Sequence, residues 1–197
     1  MGPLRVTLGL WALWGLSWVV AAVWTRSTAA RAPFGSLLAY SVPLGLGYWM
    51  ILIAAGVPVR RLQALVSHAR LWPWSDAFAW LMVLVAAAGF AFTWWARLTL
   101  GTLWSGTITR KEGHHVVESG PYGLVRHPIY AGLLLATLAS AFEIATPLAF
   151  LGFALATLGY WLKARFEERF LSEQLGEAAY ADYRRRVPML TPFWPKG

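Results

Sequence analysis

Cysteine is absent from the 197-residue chain. That absence excludes disulfides, thiolate metal sites and a cysteine nucleophile. Charge is nearly as scarce. Asp, Glu, Lys and Arg make up 13% of the residues, against roughly 25% in a soluble globular domain. The four histidines, His68, His114, His115 and His127, show none of the spacings that hold zinc, so no metal site is expected. A dinucleotide fingerprint is missing too, because Gly45 and Gly47 have neither a third glycine nor a preceding strand. Acids are the rarer sign, 9 against 17 Lys and Arg, in a chain that is 58% hydrophobic and holds 13 Trp. In that setting a net charge of +8 points to membrane orientation and anionic headgroups, not to nucleic acid. What remains is the composition of an integral membrane protein.

Residues 6–24 carry no charge, enough to cross a hydrocarbon layer of roughly 30 Å and more than the about 7–15 apolar residues of a signal peptide. Residues 34–57 form a second span, interrupted by Pro43 and several glycines that neighbouring helices can accommodate. Leu62, Leu65 and Val66 suggest a short interfacial helix, and Trp72 and Trp74 read as aromatic-belt anchors. A third span covers 77–95 and runs through Arg97 towards Gly101, whose glycine would stop it. Residues 102–126 form the longest polar connection, expected to be irregular or partly helical. Pro128 suits the first turn of a fourth helix, which reaches about Phe142. Residues 143–147 allow only a tight turn, so the fifth helix returns antiparallel. It is apolar to Leu162, continues charged from Lys163 to Arg169 and stays amphipathic to Tyr183, before Val187 and Pro188 end it. The expected fold class is therefore an all-α integral membrane protein of about five transmembrane helices, the last two a hairpin with a cytosolic C-terminal helix. It forms one membrane domain over 1–197, with a three-helix part at 1–96 and a motif-bearing part at 97–197.

Five spans would divide the 17 basic residues unevenly. Arg5, Arg60, Arg61 and Arg70 fall on one side and the rest on the side of the C-terminus, which should then be cytosolic. Abundant Arg and Ala with few Lys point to a prokaryotic inner membrane. The polar, turn-rich stretch 120–132 and the charged end of the fifth helix emerge on that same face. A cluster of this kind is costly at membrane depth unless it lines a cavity or a water interface. Taken alone, Arg126 reads as a headgroup anchor, Tyr122 and Tyr130 as belt tyrosines, and Glu167 and Glu168 as an ion-pair ladder with Lys163, Arg165 and Arg169. The functional alternative is a carboxylate beside a lipid-facing pocket, placed to attract a cationic or hydroxyl-bearing ligand.

The motifs favour the second reading. His114-His115-Val116-Val117, Gly120-Pro121-Tyr122 and Arg126-His127-Pro128-Ile129-Tyr130-Ala131-Gly132 are followed about 35 residues later by Glu167-Glu168. This order resembles the isoprenylcysteine carboxyl methyltransferase family. Phospholipid N-methyltransferases share the RHPxYxG element and the paired Glu. The tail, with Leu175-Gly176, Tyr180, Tyr183, Val187-Pro188 and Pro192-Phe193, resembles the family's ending, and Leu100-Gly101 with Trp104-Ser105 resembles its upstream segment. The likeness spans residues 97–193.

The resemblance implies an S-adenosyl-L-methionine-dependent membrane methyltransferase without a Rossmann domain, its cofactor in a cytosol-facing pocket. Carried over by position, His114, His115, Val116, Val117, Tyr122, His127, Pro128, Ile129, Tyr130 and Glu167 would contact that cofactor. Lys163, Arg165 and Glu168 are candidates for orienting the acceptor. The acceptor would be a lipophilic or amphiphilic molecule, such as a prenylated cysteine carboxylate, a lipid amine or a thiol, reached through the membrane lipid. Two positions depart from the eukaryotic prenylcysteine enzymes: Lys163 replaces the arginine that holds the substrate carboxylate there, and Thr107 replaces a cofactor-site glutamine. Lysine keeps the charge but loses the bidentate fork. Two other classes predict different ligands. A sterol-reductase-like oxidoreductase would bind NADPH, and a non-catalytic scaffold would keep the surface pairs for structure alone.

Overall fold

The structure is a computed structural model that describes residues 2–56, 70–111, 116–175 and 177–192. Five long helices dominate it: α1 (Pro3–Ala21), α2 (Phe34–Ala54), α3 (Asp76–Leu100), α4 (Pro128–Ile144) and α5 (Pro147–Leu175). A short α6 (Glu177–Arg186) follows. The start signals act as their chemistry requires. Proline sits in the first turn of α1 and of α4, where a missing N–H costs nothing. Ser75 caps α3 by accepting from the Phe78 N–H, and Asp76 adds a negative charge at that N-terminus. Gly101, at φ +58°, stops α3 at the expected place.

α4 is the shortest of the five expected spans, and the loops depart from expectation. Four helical segments are long and apolar enough to cross a membrane, Pro3–Ala21, Phe34–Ala54, Asp76–Leu103 and Pro147–Glu173, whereas α4 has 17 residues. It spans about 25 Å, short of the roughly 30 Å apolar layer. Eleven of its residues are buried, so α4 is the central helix and its ends rest on protein. The helix also runs through Glu143 to Ile144, and Ala145 in the left-handed conformation makes the turn into α5. A correction concerns the loops. β1 (Thr28–Arg31) and β2 (Thr109–Lys111) pair antiparallel, with Thr28 opposite Lys111, Ala30 opposite Arg110 and Arg31 opposite Thr109. Strands of four and three residues are too short to show alternation in sequence, and pairing satisfies backbone groups beyond the helix ends. The rest of residues 102–126 is irregular apart from 3-10 turns at Gly101–Leu103 and Gly120–Gly123. The interfacial-helix residues Leu62, Leu65 and Val66, and His68, lie outside the described residues.

Glycine pairs let helix backbones approach closely in the bundle. A Cβ on Gly47 of α2 would lie 2.6 Å from the Gly152 carbonyl oxygen of α5, and one on Gly89 of α3 would lie 2.6 Å from that of Gly132 in α4. Small residues permit this backbone approach between membrane helices, where packing replaces the hydrophobic driving force. The last glycine of the RHPxYxG element is thus a helix-packing residue. α1 leans on α3 and exposes Leu13, Leu16, Val19 and Val20. Its inward indoles are tied down: Trp11 donates to Ser140 Oγ (3.0 Å) and Trp14 to Thr93 Oγ1 (2.8 Å). Near the other end of the bundle, Thr7 donates to the buried Glu143 carboxyl at 2.7 Å. Of the two expected belt tryptophans, Trp74 is exposed beside Arg70, while Trp72 turns into a cluster with Phe78, Phe142 and Phe150.

Candidate active site

The motif loop meets the end of α5 where α3 stops and α4 begins. Glu167 lies about 30 Å along the axis from Pro147, at the edge of an apolar layer of that thickness. Its Oε2 accepts from the Tyr130 hydroxyl at 2.6 Å and lies 3.8 Å from His127 Nδ1. No hydrogen-bond partner meets its Oε1 among the described residues. His127 and Tyr130 stack nearly parallel, with ring centroids 5.2 Å apart, and Tyr130 stacks in turn on Tyr160 at 5.3 Å.

Glu168, the next residue, faces the other way. Its Oε1 accepts from Arg126 Nε at 2.7 Å and from His127 Nε2 at 3.1 Å, and Arg184 Nε approaches its Oε2 at 3.7 Å. Because a carboxylate accepts, the imidazole hydrogen belongs on Nε2, leaving Nδ1 towards Glu167. The buried Arg126 guanidinium also donates to the carbonyls of Arg184 (3.0 Å) and Val187. Two backbone bonds, Arg126 N–H to Pro188 O (2.8 Å) and His127 N–H to Met189 O (3.1 Å), lay the segment after α6 along the motif loop. Arg126 is therefore an internal clamp and not the headgroup anchor that composition allowed.

Tyr183 completes the clamp by donating its hydroxyl to the Tyr122 carbonyl at 2.7 Å. Burial, and then the Glu167 charge, push the Tyr122 phenol far above its ordinary value. Burial likewise raises Tyr183 and Tyr180, so all three act as neutral hydroxyls. On the outer face of α6, hydrogen bonds from Arg186 and Arg185 hold the Asp182 carboxyl below its usual range, and Arg186 also reaches Glu118 at 2.7 Å.

These groups surround a cavity of about 360 Å³. Val116, Val117, Tyr122, His127, Pro128, Ile129, Tyr130 and Glu167, all expected at a cofactor, line it. His114 and His115 lie outside the described residues. The three acceptor candidates separate. Lys163 lines the cavity, donates to the Gly106 carbonyl at 2.9 Å and sits over the Tyr40 and Tyr130 rings. Arg165 is exposed beside Trp161, and Glu168 is committed to Arg126 and His127. Both face a separate cleft between α5 and α6, so neither is placed to touch an acceptor in the cavity. Helical spacing explains the division: Tyr160, Lys163, Glu167 and Leu171 form one stripe of α5 that lines the cavity, and Glu168 is a hundred degrees away.

Sequence reasoning missed Tyr160 on that stripe, although its spacing from Lys163 and Glu167 could have revealed it. Trp14, Trp18 and Leu44, from α1 and α2, also line the cavity and carry no local motif. Thr107, at one of the two departures, lies in the lining as well. Among the described residues no cluster of three or more His, Asp or Glu could hold a metal ion.

The family model described as isoprenylcysteine carboxyl methyltransferase (ICMT) matches residues 80–173, which carry both the motif loop and the paired glutamates. Over that stretch, a little under half of its length, the chain is similar to this family. Its relatives are diverse. Protein-S-isoprenylcysteine O-methyltransferase B of Arabidopsis thaliana is 31% identical over 87 residues, 44% of each chain. Methanethiol S-methyltransferase 2 of Bradyrhizobium diazoefficiens is 51% identical over 72 residues, 36% of this chain and 26% of the relative. The cobalt-zinc-cadmium resistance protein CzcN of Cupriavidus metallidurans is 31% identical over 150 residues, 75% of this chain and 63% of the relative. The chain thus spans less than two thirds of each of these relatives. The family match also leaves α1 and α2, two of the cavity's walls, outside it.

Proposed function

We propose that the protein is a membrane methyltransferase that uses S-adenosyl-L-methionine to methylate a lipophilic acceptor. The observation that carries this reading is Glu167. It presents a carboxylate oxygen without a partner among the described residues to a cavity walled by Tyr130, Tyr160 and Tyr122. The residues present suit the donor. A carboxylate can hold an ammonium or ribose hydroxyls, and aromatic faces suit a sulfonium cation. When bound, S-adenosyl-L-methionine supplies a methyl group on positively charged sulfur. The protein's own part is positioning: the Tyr130 hydroxyl fixes the Glu167 carboxylate, the stacked His127, Tyr130 and Tyr160 rings shape the wall, and the α6 segment helps seal the motif loop from water.

The acceptor's nucleophile is a carboxylate, a thiol or an amine. The relatives' names include a carboxyl methylation and a thiol methylation. Membrane lipid surrounds the bundle and delivers the acceptor, and the cavity faces the cytosol on the basic-residue count. Isothermal titration with S-adenosylhomocysteine in detergent is expected to show saturable binding that Glu167→Ala weakens at least about tenfold, the loss of one charge-assisted contact in a partly buried site. No binding, or binding untouched by Glu167→Ala, would remove the basis of the assignment.

A further inference from the structure

The cavity has two unlike sides. One carries Glu167, His127 and the tyrosines; the other is apolar and includes Trp14 and Trp18 of α1, Leu44 of α2 and Leu133 of α4. The indoles on the apolar side are fixed in place. Trp14 donates to Thr93 Oγ1 at 2.8 Å, and that hydroxyl is itself bonded to the Phe90 carbonyl at 2.7 Å. Trp14 and Trp18 stack at 4.7 Å, and Trp18 meets Trp94 and Trp104 edge-on at 5.4 and 5.7 Å. Trp94 also donates to Ser17 between them (3.2 Å), whose hydroxyl bonds back to the Trp14 carbonyl (2.7 Å). Swinging Trp14 aside would break its hydrogen bond and its ring contacts together, and swinging Trp18 aside would break three ring contacts.

Volume gives this rigidity a consequence. About 360 Å³ lies near the bottom of the roughly 300–1,000 Å³ range of ligand pockets, and donor and acceptor must share it. We infer that Trp14 and Trp18 form the wall of the acceptor subsite and restrict the acceptor to a short, compact apolar group, excluding a long isoprenyl chain. The inference rests on the methyltransferase reading and decides between the acceptor sizes that the relatives' names represent. The wall comes from α1, outside the segment that the family model matches.

The test uses the full-length protein in nanodiscs with labelled S-adenosyl-L-methionine. Homologous series of n-alkanethiols, n-alkylamines and n-alkanoates are compared with N-acetyl-S-farnesylcysteine. The wild type is expected to prefer short members, each methylene past the limit lowering kcat/KM by about tenfold. Trp18→Ala should move the cut-off to longer chains while retaining S-adenosylhomocysteine binding. Trp18→Phe, which preserves more of the packing, should move it less. An unchanged length profile in a Trp18→Ala protein that binds S-adenosylhomocysteine overturns the inference. So does wild-type methylation of the farnesyl compound at the rate of the short acceptors, or binding of S-adenosylhomocysteine without methylation of any short member. Loss of S-adenosylhomocysteine binding in the wild type would instead defeat the methyltransferase reading itself.

Discussion

Two arginines are almost completely buried, and their surroundings solve the same electrostatic problem differently. Arg126 lies against the Glu168 carboxylate, with His127 sharing the same oxygen. Arg97 has no carboxylate partner among the described residues. It donates to the carbonyls of Gly101 (2.5 Å), Ala21 (2.8 Å) and Trp24 (2.9 Å), and its guanidinium lies 5.1 and 4.7 Å from the Trp24 and Trp104 rings. The Ala21 and Gly101 carbonyls stand at the C-terminal ends of α1 and α3, where helix dipoles are negative, Trp24 follows α1 closely, and aromatic faces add to the attraction. One arginine is matched by a charge and the other by partial charges. The Arg126 cluster ties Glu168 of α5 to the motif loop and the segment after α6, and the Arg97 cluster moors α1 and hence the tryptophan wall.

The difference should be measurable. Arg126→Met is expected to have the largest effect on stability, about 3–5 kcal/mol, because it strands the buried Glu168 charge. Arg126→Met with Glu168→Leu should cost less than Arg126→Met alone. Denaturation in mixed micelles would read both, and additive losses would show that the two groups do not form one unit. Arg97→Met should cost less, about 2 kcal/mol, since the freed carbonyls stand at helix ends near the interface. It should also red-shift tryptophan fluorescence as α1 loosens; an unchanged spectrum would deny Arg97 its mooring role.

Tyr183→Phe removes one hydroxyl from the Tyr122 carbonyl and should cost about 1 kcal/mol in the same measurement. Glu167→Gln should change stability least, by under about 1 kcal/mol, since an amide oxygen can still accept from Tyr130. Its affinity for S-adenosylhomocysteine should nevertheless fall about tenfold. A large stability loss without a binding loss would place Glu167 with Glu168 as a structural group.

Much of this contrast is invisible in sequence. Glu167 and Glu168 are adjacent and chemically identical, yet a hundred degrees of helix rotation sends one into the cavity and the other into the clamp. Arg97 reads as one more basic residue at a helix end, because its partners are backbone carbonyls at and just beyond the ends of α1 and α3, which no side-chain pattern announces. Trp14 and Trp18 read as spanning-helix tryptophans for the same reason. The motif loop, in contrast, was legible: Arg126, His127 and Tyr130 form a local string whose polar groups are too costly for a membrane protein to keep without partners.

By itself the sequence determined that the chain is an integral membrane protein, where its long apolar helices run, and which family its motifs resemble. Each of these depends on composition, apolar run length or residues close in sequence. The tertiary structure decided which glutamate faces the cavity, what neutralises each buried arginine, and that α1 closes the apolar side. Those outcomes depend on helix rotation and on contacts between residues far apart in the chain. Trp14 and Thr93, and Arg126 and Glu168, acquire their roles only when the helices pack.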